Sequence, residues 1–145
     1  MNNHDKRSAG GGAFLGRVVT AWCGHRNMEL LEPFAYRDSR GKTWSIPKGA
    51  VINGASIPKV LWTVAGSPFV GRYRNASVIH DFYCAEEIGC WKEVHWMFFD
   101  ACLEGGVPLW RARLMHEAVY WFGKRWKRRD DAGFDRNKHQ MLVKS

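Results

Sequence analysis

The hydrophobic pattern of this chain changes period once, between residues 65 and 72, and that single change limits the folds open to it. Before it, apolar residues come in short extended runs. Phe14 to Trp22 has strand character, Met28 to Tyr36 is a second extended run, and Thr43 to Ile46 alternates like the return strand of a hairpin. Pro33 predicts an edge or a bend in the second run. Asp38 to Gly41 and Pro47 to Gly49 are turn signals, the latter leading into Val51-Ile52. After the change, the spacing is 3 and 4. Arg72 to Glu87 carries Ala76, Ile79 and Tyr83 on one stripe, with Val78 and Phe82 beside it, and Gly89 is expected to end that helix. Trp91 to Leu103 repeats the pattern with Val94, Met97, Phe98 and Ala101, closed by Gly105-Gly106. Pro108 opens a third helix, expected to reach about Trp126 with Leu109, Ala112, Met115, Val119 and Phe122 as its stripe.

The expected fold class is therefore α+β. A small twisted antiparallel sheet from the N-terminal half packs with three helices from the C-terminal half. At 145 residues there is room for one domain. We place it at residues 13–128, between a flexible Gly-rich arm (1–12) and a poorly patterned tail (129–145). No apolar run approaches the roughly 20 residues of a membrane-spanning helix. The first twelve residues lack the apolar core of a signal peptide, so synthesis in the cytoplasm is expected. The four Cys residues are expected to be free thiols. Most of the eight Trp residues should serve the core, and any left exposed would mark a protein interface.

The net charge of +8 is uneven. Lys124, Arg125, Lys127, Arg128 and Arg129 account for more than half of it. This basic patch reads as a solvated helix end, or as a contact for phosphates of nucleic acid or an anionic membrane. Asp130 and Asp131 follow at once and oppose both contacts.

Chemistry concentrates between Val51 and His95. Asn53, Gly54 and Ser56 form a tight polar loop that can present backbone N–H groups to a substrate or simply connect sheet to helix. His80 and Asp81 stand on an apolar helix, where a polar pair is costly unless hydrogen-bonded or bound to something. His95 lies on the next helix, an expected antiparallel neighbour. Three readings are open. The pair pins two helices together; or His80, Asp81 and His95 form a catalytic and metal-binding site for hydrolysis; or His80, Cys84, Cys90 and His95 supply a tetrahedral zinc set, His80 and Cys84 sharing a face four residues apart. Ser56 becomes a nucleophile only if a His comes near. His116 shares a face with Arg113 and Tyr120, while His4, His25 and His139 are expected to be exposed.

These segments, in this order, resemble the bacterial and phage family catalogued as domain of unknown function 1353. The matching stretches are Leu31 to Asp38, the Ile52 to Pro58 loop, Gly66 to Tyr73, Ala76 to Tyr83, Lys92 to Val107 and Tyr120 to Gly123. The family's loop carries Asp where this chain has Asn53, and its second helix carries Asp where this chain has His95. The family's aromatic four positions after the His falls on Cys84, with Tyr83 one position earlier. The resemblance implies a prophage or tail context. The His-Asp pair also resembles, over a short stretch, the calcium site of secreted phospholipases; His95 in place of Asp would remove the orienting carboxylate and suit a softer metal than calcium.

The expectation is a virion- or tail-associated protein, working with other phage or injection-device proteins, that carries a metal-assisted hydrolase site with Zn or Ca. Its substrate would be phospholipid or peptidoglycan of the bacterial envelope. The alternatives are a non-catalytic structural component of the particle and, on the basic patch, a nucleic-acid-binding protein.

Overall fold

The computed structural model describes residues 11–54, 56–61 and 71–127. Most of the expected arm and tail, Trp62, Arg128 and Arg129 lie outside these residues, as do His4 and His139. Six short strands come first: β1 (Ala13–Leu15), β2 (Thr20–Gly24), β3 (Asn27–Leu30), β4 (Phe34–Arg37), β5 (Thr43–Ile46) and β6 (Val51–Ile52). Among the described residues a 3-10 turn (Lys59–Leu61) then precedes three helices, α1 (Arg74–Glu86), α2 (Trp91–Glu104) and α3 (Leu109–Phe122). The α+β arrangement is as expected, and its strands make two three-stranded antiparallel sheets, β1-β4-β5 and β2-β3-β6.

The split into two sheets has local causes. Gly16, at φ 86, turns the chain in a conformation that side-chain-bearing residues resist, and so divides the Phe14 to Trp22 run into β1 and β2. Pro33 divides the next run into β3 and β4, which enter different sheets. Asp38 builds the β4–β5 hairpin. Its carboxylate accepts the backbone N–H groups of Arg40 and Lys42 at 2.9 and 3.0 Å and the indole N–H of Trp44 at 2.9 Å. With that register, Phe34 faces Ile46 and Tyr36 faces Trp44, and all four side chains are buried on one face.

The central element is α1. Every residue from Ala76 to Cys84 is buried, so the helix is enclosed on all sides. It packs against α2 and touches β5 and β6, one strand from each sheet. It ends at Glu87, a left-handed non-glycine residue at φ 52, two residues before the expected stop at Gly89. The next amide, of Ile88, reaches back to the Tyr83 carbonyl at 3.2 Å.

Helix α3 stops at Phe122, four residues short of the expected end, because the chain there turns back over α2. Of its anticipated stripe, Ala112, Met115 and Val119 are buried, whereas Leu109 and Phe122 are exposed. Trp44 and Trp126 are buried and Trp91 and Trp96 pack against the core, but Trp22, Trp110 and Trp121 are exposed. Among the described residues no helix is long and apolar enough to cross a membrane.

One carboxylate ties the first sheet to α2. Asp100, 4% exposed, accepts the Tyr36 hydroxyl, the Ser39 amide at 2.9 Å and the Ser39 hydroxyl at 2.7 Å. Burial and this carboxylate hold the Tyr36 phenol far above its ordinary range, so it stays a donor. Asp100→Ala leaves these donors without an acceptor and should cost about 2–3 kcal/mol. Urea unfolding measures this; a loss below about 0.5 kcal/mol would show that the tie contributes nothing beyond an ordinary surface contact.

Candidate functional site

Successive residues on a helix point about 100° apart. On α1 that spacing sends the Asp81 carboxylate to one neighbour, the Tyr83 hydroxyl to another, and His80 with Cys84 to a third. Tyr83 exchanges hydrogen bonds with the backbone of Ser45 on β5, accepting from its N–H at 3.0 Å and donating to its carbonyl at 3.2 Å. Asp81 faces the loop after β6. Its two oxygens accept the backbone N–H groups of Asn53, at 2.9 Å, and Ser56, at 3.1 Å. Gly54 lies between them at φ 71, where a side chain would be strained. The expected polar loop therefore presents its amides, but to a carboxylate of this same chain. Asp81 anchors the loop, and neither of its oxygens points to His95.

The anchored loop sets Ser56 over His80. The Ser56 hydroxyl lies 3.1 Å from His80 Nδ1, and His80 Nε2 lies 2.8 Å from His95 Nδ1. His95 Nε2 in turn lies 3.0 Å from the carbonyl of Lys124. A carbonyl only accepts, so His95 carries its proton on Nε2. Burial lowers the His95 pKa to about 4, against the opposing pull of the Lys124 carbonyl, so the ring is neutral at pH 7 and its Nδ1 is bare. His80 must then donate from Nε2. Its Nδ1 is bare in turn and accepts from the Ser56 hydroxyl. Burial, reinforced by the charges that His95 and His116 would carry, holds His80 well below the ordinary imidazole range. The result is one directed line of hydrogen bonds: Ser56 to His80 to His95 to the Lys124 carbonyl.

Helix α2 supplies His95, and the segment after α3 supplies the carbonyl. Trp126 fixes that segment by donating its indole N–H to the Gly89 carbonyl at 2.8 Å. Phe98 lies against the His80 ring with centroids 4.7 Å apart, which keeps water from the pair. The sequence led us to expect that a His in place of Asp at position 95 would lose the orienting role. In the structure the bare Nδ1 of His95 accepts the His80 Nε2–H.

Cys84 sits one turn after His80, with Sγ 3.5 Å from His80 Nε2. Burial pushes its thiol pKa up to about 12, so it is protonated. Among the described residues, His80, Cys84 and His95 form a group whose ligand atoms lie within 4.8 Å of one another. Cys90, placed with them in the sequence reading, precedes α2 as its N-cap and stands outside that group, as does Asp81. The four Cys residues are free, as expected.

The remaining sequence candidates lie apart. His116 is half-buried between Phe99 and Tyr120, and Arg113 and His25 are exposed. Of the basic patch, Lys124 pairs with Glu87 at 3.2 Å and Arg125 lies over Trp91 with its guanidinium 4.7 Å from the ring. Both belong to the surface of the fold; Lys127 is exposed. What sequence reasoning missed was the carbonyl at Lys124, because a backbone acceptor leaves no mark on residue type.

Residues 28–119 match the profile of the family described as "Protein of unknown function (DUF1353)". The chain is 39% identical over 98 residues to uncharacterized protein y4jT of Sinorhizobium fredii (strain NBRC 101917 / NGR234), a match covering 68% of this chain and 29% of that protein. It is 43% identical over 97 residues to uncharacterized protein y4iH of the same strain, covering 67% of this chain and 41% of that protein. The matched region thus spans less than half the length of either relative. No solved structure matches the chain.

The proton assignment is open to direct measurement. Two-bond 1H–15N correlation spectra at pH 7 should show both His80 and His95 as Nε2–H tautomers. A His80 ring protonated on Nδ1 would contradict the line of donors.

Proposed function

The chain belongs to the DUF1353 family, and from the site alone we propose that it is a hydrolase in which Ser56 is the nucleophile, His80 its base and His95 the group that orients the base. The observation that carries this reading is the line Ser56–His80–His95 with a single allowed direction of donation. It is the nucleophile–base–orienter arrangement of acyl transfer, with an imidazole where a carboxylate is more usual.

In the forward step the Ser56 hydroxyl oxygen attacks an acyl carbon and its proton passes to His80 Nδ1. The imidazolium so formed keeps its Nε2–H on the bare Nδ1 of His95, which spreads the charge toward a second ring and the Lys124 carbonyl. The leaving group takes the proton from His80 Nδ1 as its bond to the acyl carbon breaks. Water then attacks the acyl-serine with the same nitrogen as base, returning acid and free serine. Burial holds His80 well below the ordinary imidazole range, so the ring is neutral at pH 7. Of the three side chains Ser56, at 9% exposure, is the nearest to solvent, while His80 and His95 have none.

In this reading Asp81 is a positioning residue, because its oxygens serve the loop amides that place Ser56. The substrate class follows the chemistry: an acyl ester or amide, and phospholipid or peptidoglycan of the envelope is the substrate expected from the sequence. A fluorophosphonate probe tests it. The probe should label Ser56, and His80→Gln should slow both labelling and the hydrolysis of p-nitrophenyl esters by about 10²–10⁴-fold. Absence of labelling at Ser56 together with absence of ester hydrolysis overturns the reading.

One observation favours a second reading, that of a docking component in a phage particle or injection device. Helix α3 exposes Trp110, Leu114 and Trp121, which are 4 and 7 residues apart and so share one outer face. That reading expects the protein in stoichiometric amount in purified particles, measured by mass spectrometry; presence in lysate and absence from particles would exclude it. A nucleic-acid role has less support, since Lys124 and Arg125 already have partners in the fold.

A further inference from the structure

The group formed by His80, Cys84 and His95 has a property that the hydrolase reading does not use. It brings two imidazole nitrogens and a thiol together in a dry pocket. We propose that His80 Nε2, Cys84 Sγ and His95 Nδ1 bind one Zn²⁺, and that its binding switches off the Ser56–His80 pair.

The donor set is the first support. Two imidazoles and a thiolate suit zinc and not calcium or magnesium. The distances are the second. In a tetrahedral zinc site the ligand atoms stand about 3.3–3.6 Å apart, from bond lengths near 2.0–2.1 Å for nitrogen and 2.3 Å for sulfur. Cys84 Sγ is already 3.5 Å from His80 Nε2, and the two nitrogens, at 2.8 Å, need to part by about half an ångström once the proton between them is gone. Cys84 Sγ and His95 Nδ1, within 4.8 Å, are left to close the triangle by side-chain rotation. The outer contacts are the third. A metal-bound imidazole almost always donates its other N–H to a fixed acceptor. His95 already does so, to the Lys124 carbonyl, and His80 has the Ser56 oxygen at 3.1 Å for the same purpose.

The switch follows from counting protons. Zinc needs the lone pair of His80 Nε2, which in the metal-free protein carries the ring's proton. That proton moves to Nδ1. His95 needs no change, and Cys84 releases its proton to solvent, so one proton leaves per Zn²⁺ bound. His80 Nδ1–H now donates to Ser56 Oγ and cannot accept from it. The serine loses its base, although no residue of the loop has moved. The inhibitory half of the proposal rests on the hydrolase reading; the binding half does not.

Co²⁺ as a spectroscopic stand-in separates the two halves. Ser56→Ala protein, which has no nucleophile, should bind one Co²⁺ with the visible bands of a tetrahedral site and a thiolate-to-cobalt charge-transfer band, and Zn²⁺ should displace it. A Cys23→Ser/Cys90→Ser double variant, changed only at an exposed and a half-buried position, should keep the band, and Cys84→Ser should lose it. If Cys84→Ser does not fold, the band in the double variant still decides whether a buried thiolate is a ligand. Absence of the charge-transfer band overturns the site, whatever the activity of the metal-free protein. In wild-type protein, stoichiometric Zn²⁺ should suppress fluorophosphonate labelling of Ser56 by at least tenfold, with recovery on chelation. Cobalt binding without suppression overturns the switch and leaves the site standing.

Discussion

Two imidazoles buried edge to edge can share only one proton, and the rest of the site depends on which ring supplies it. His80 and His95 lie 2.8 Å apart with no exposed surface. If both were protonated at the shared contact they would repel; if neither were, two lone pairs would face each other. The Lys124 carbonyl breaks the tie at the far end, and Ser56 is compatible with the outcome at the near end. A buried polar pair that would otherwise cost several kcal/mol thus becomes a fully satisfied line. The direction of that line decides whether Ser56 gives or receives a hydrogen bond.

Helix α1 makes this possible because it is enclosed. A helix with water on one side can turn its polar residues outward. This one is buried from Ala76 to Cys84, so each polar side chain must find its partner inside the protein. His80 meets the loop and α2, Asp81 meets the loop amides, and Tyr83 meets β5. Packing and polar satisfaction therefore fix the same rotational setting of the helix. Turning it would unpair three side chains together.

Much of this was legible in the sequence, and the remainder was hidden for physical reasons. The change of period located both halves of the fold, and the i, i+4 spacing put His80 and Cys84 on one face. Three features were not readable. The division of the strands into two sheets depended on Gly16 and Pro33 acting as crossings between sheets, and pattern alone cannot tell such a crossing from a bend within one sheet. The end of α3 was set by the return of Lys124 to Trp126 across α2, a tertiary demand that overrode a helix-favouring stretch. The assignment of Asp81 to the loop and not to His95 was decided by which backbone donors lay in reach, and backbone donors are the same for every residue but proline.

That last point bears on Asn53 and His95, the two places where the resemblance implies acidic residues. Read as lost ligands, Asn53 and His95 would argue for a protein without chemistry. The geometry gives them other parts. Asn53 meets Asp81 through its backbone N–H, a contact that an aspartate at 53 would make equally well and whose own carboxylate would add a like charge beside Asp81. His95 is a ring that accepts at Nδ1 and donates at Nε2, which is why the line continues to Lys124 instead of ending. His95 also supplies the second nitrogen of the His-Cys-His group. In the proposed reading an aspartate at 95 would hold the His80 base by charge, whereas histidine would hold it through a neutral donor chain and would also offer a soft metal a nitrogen.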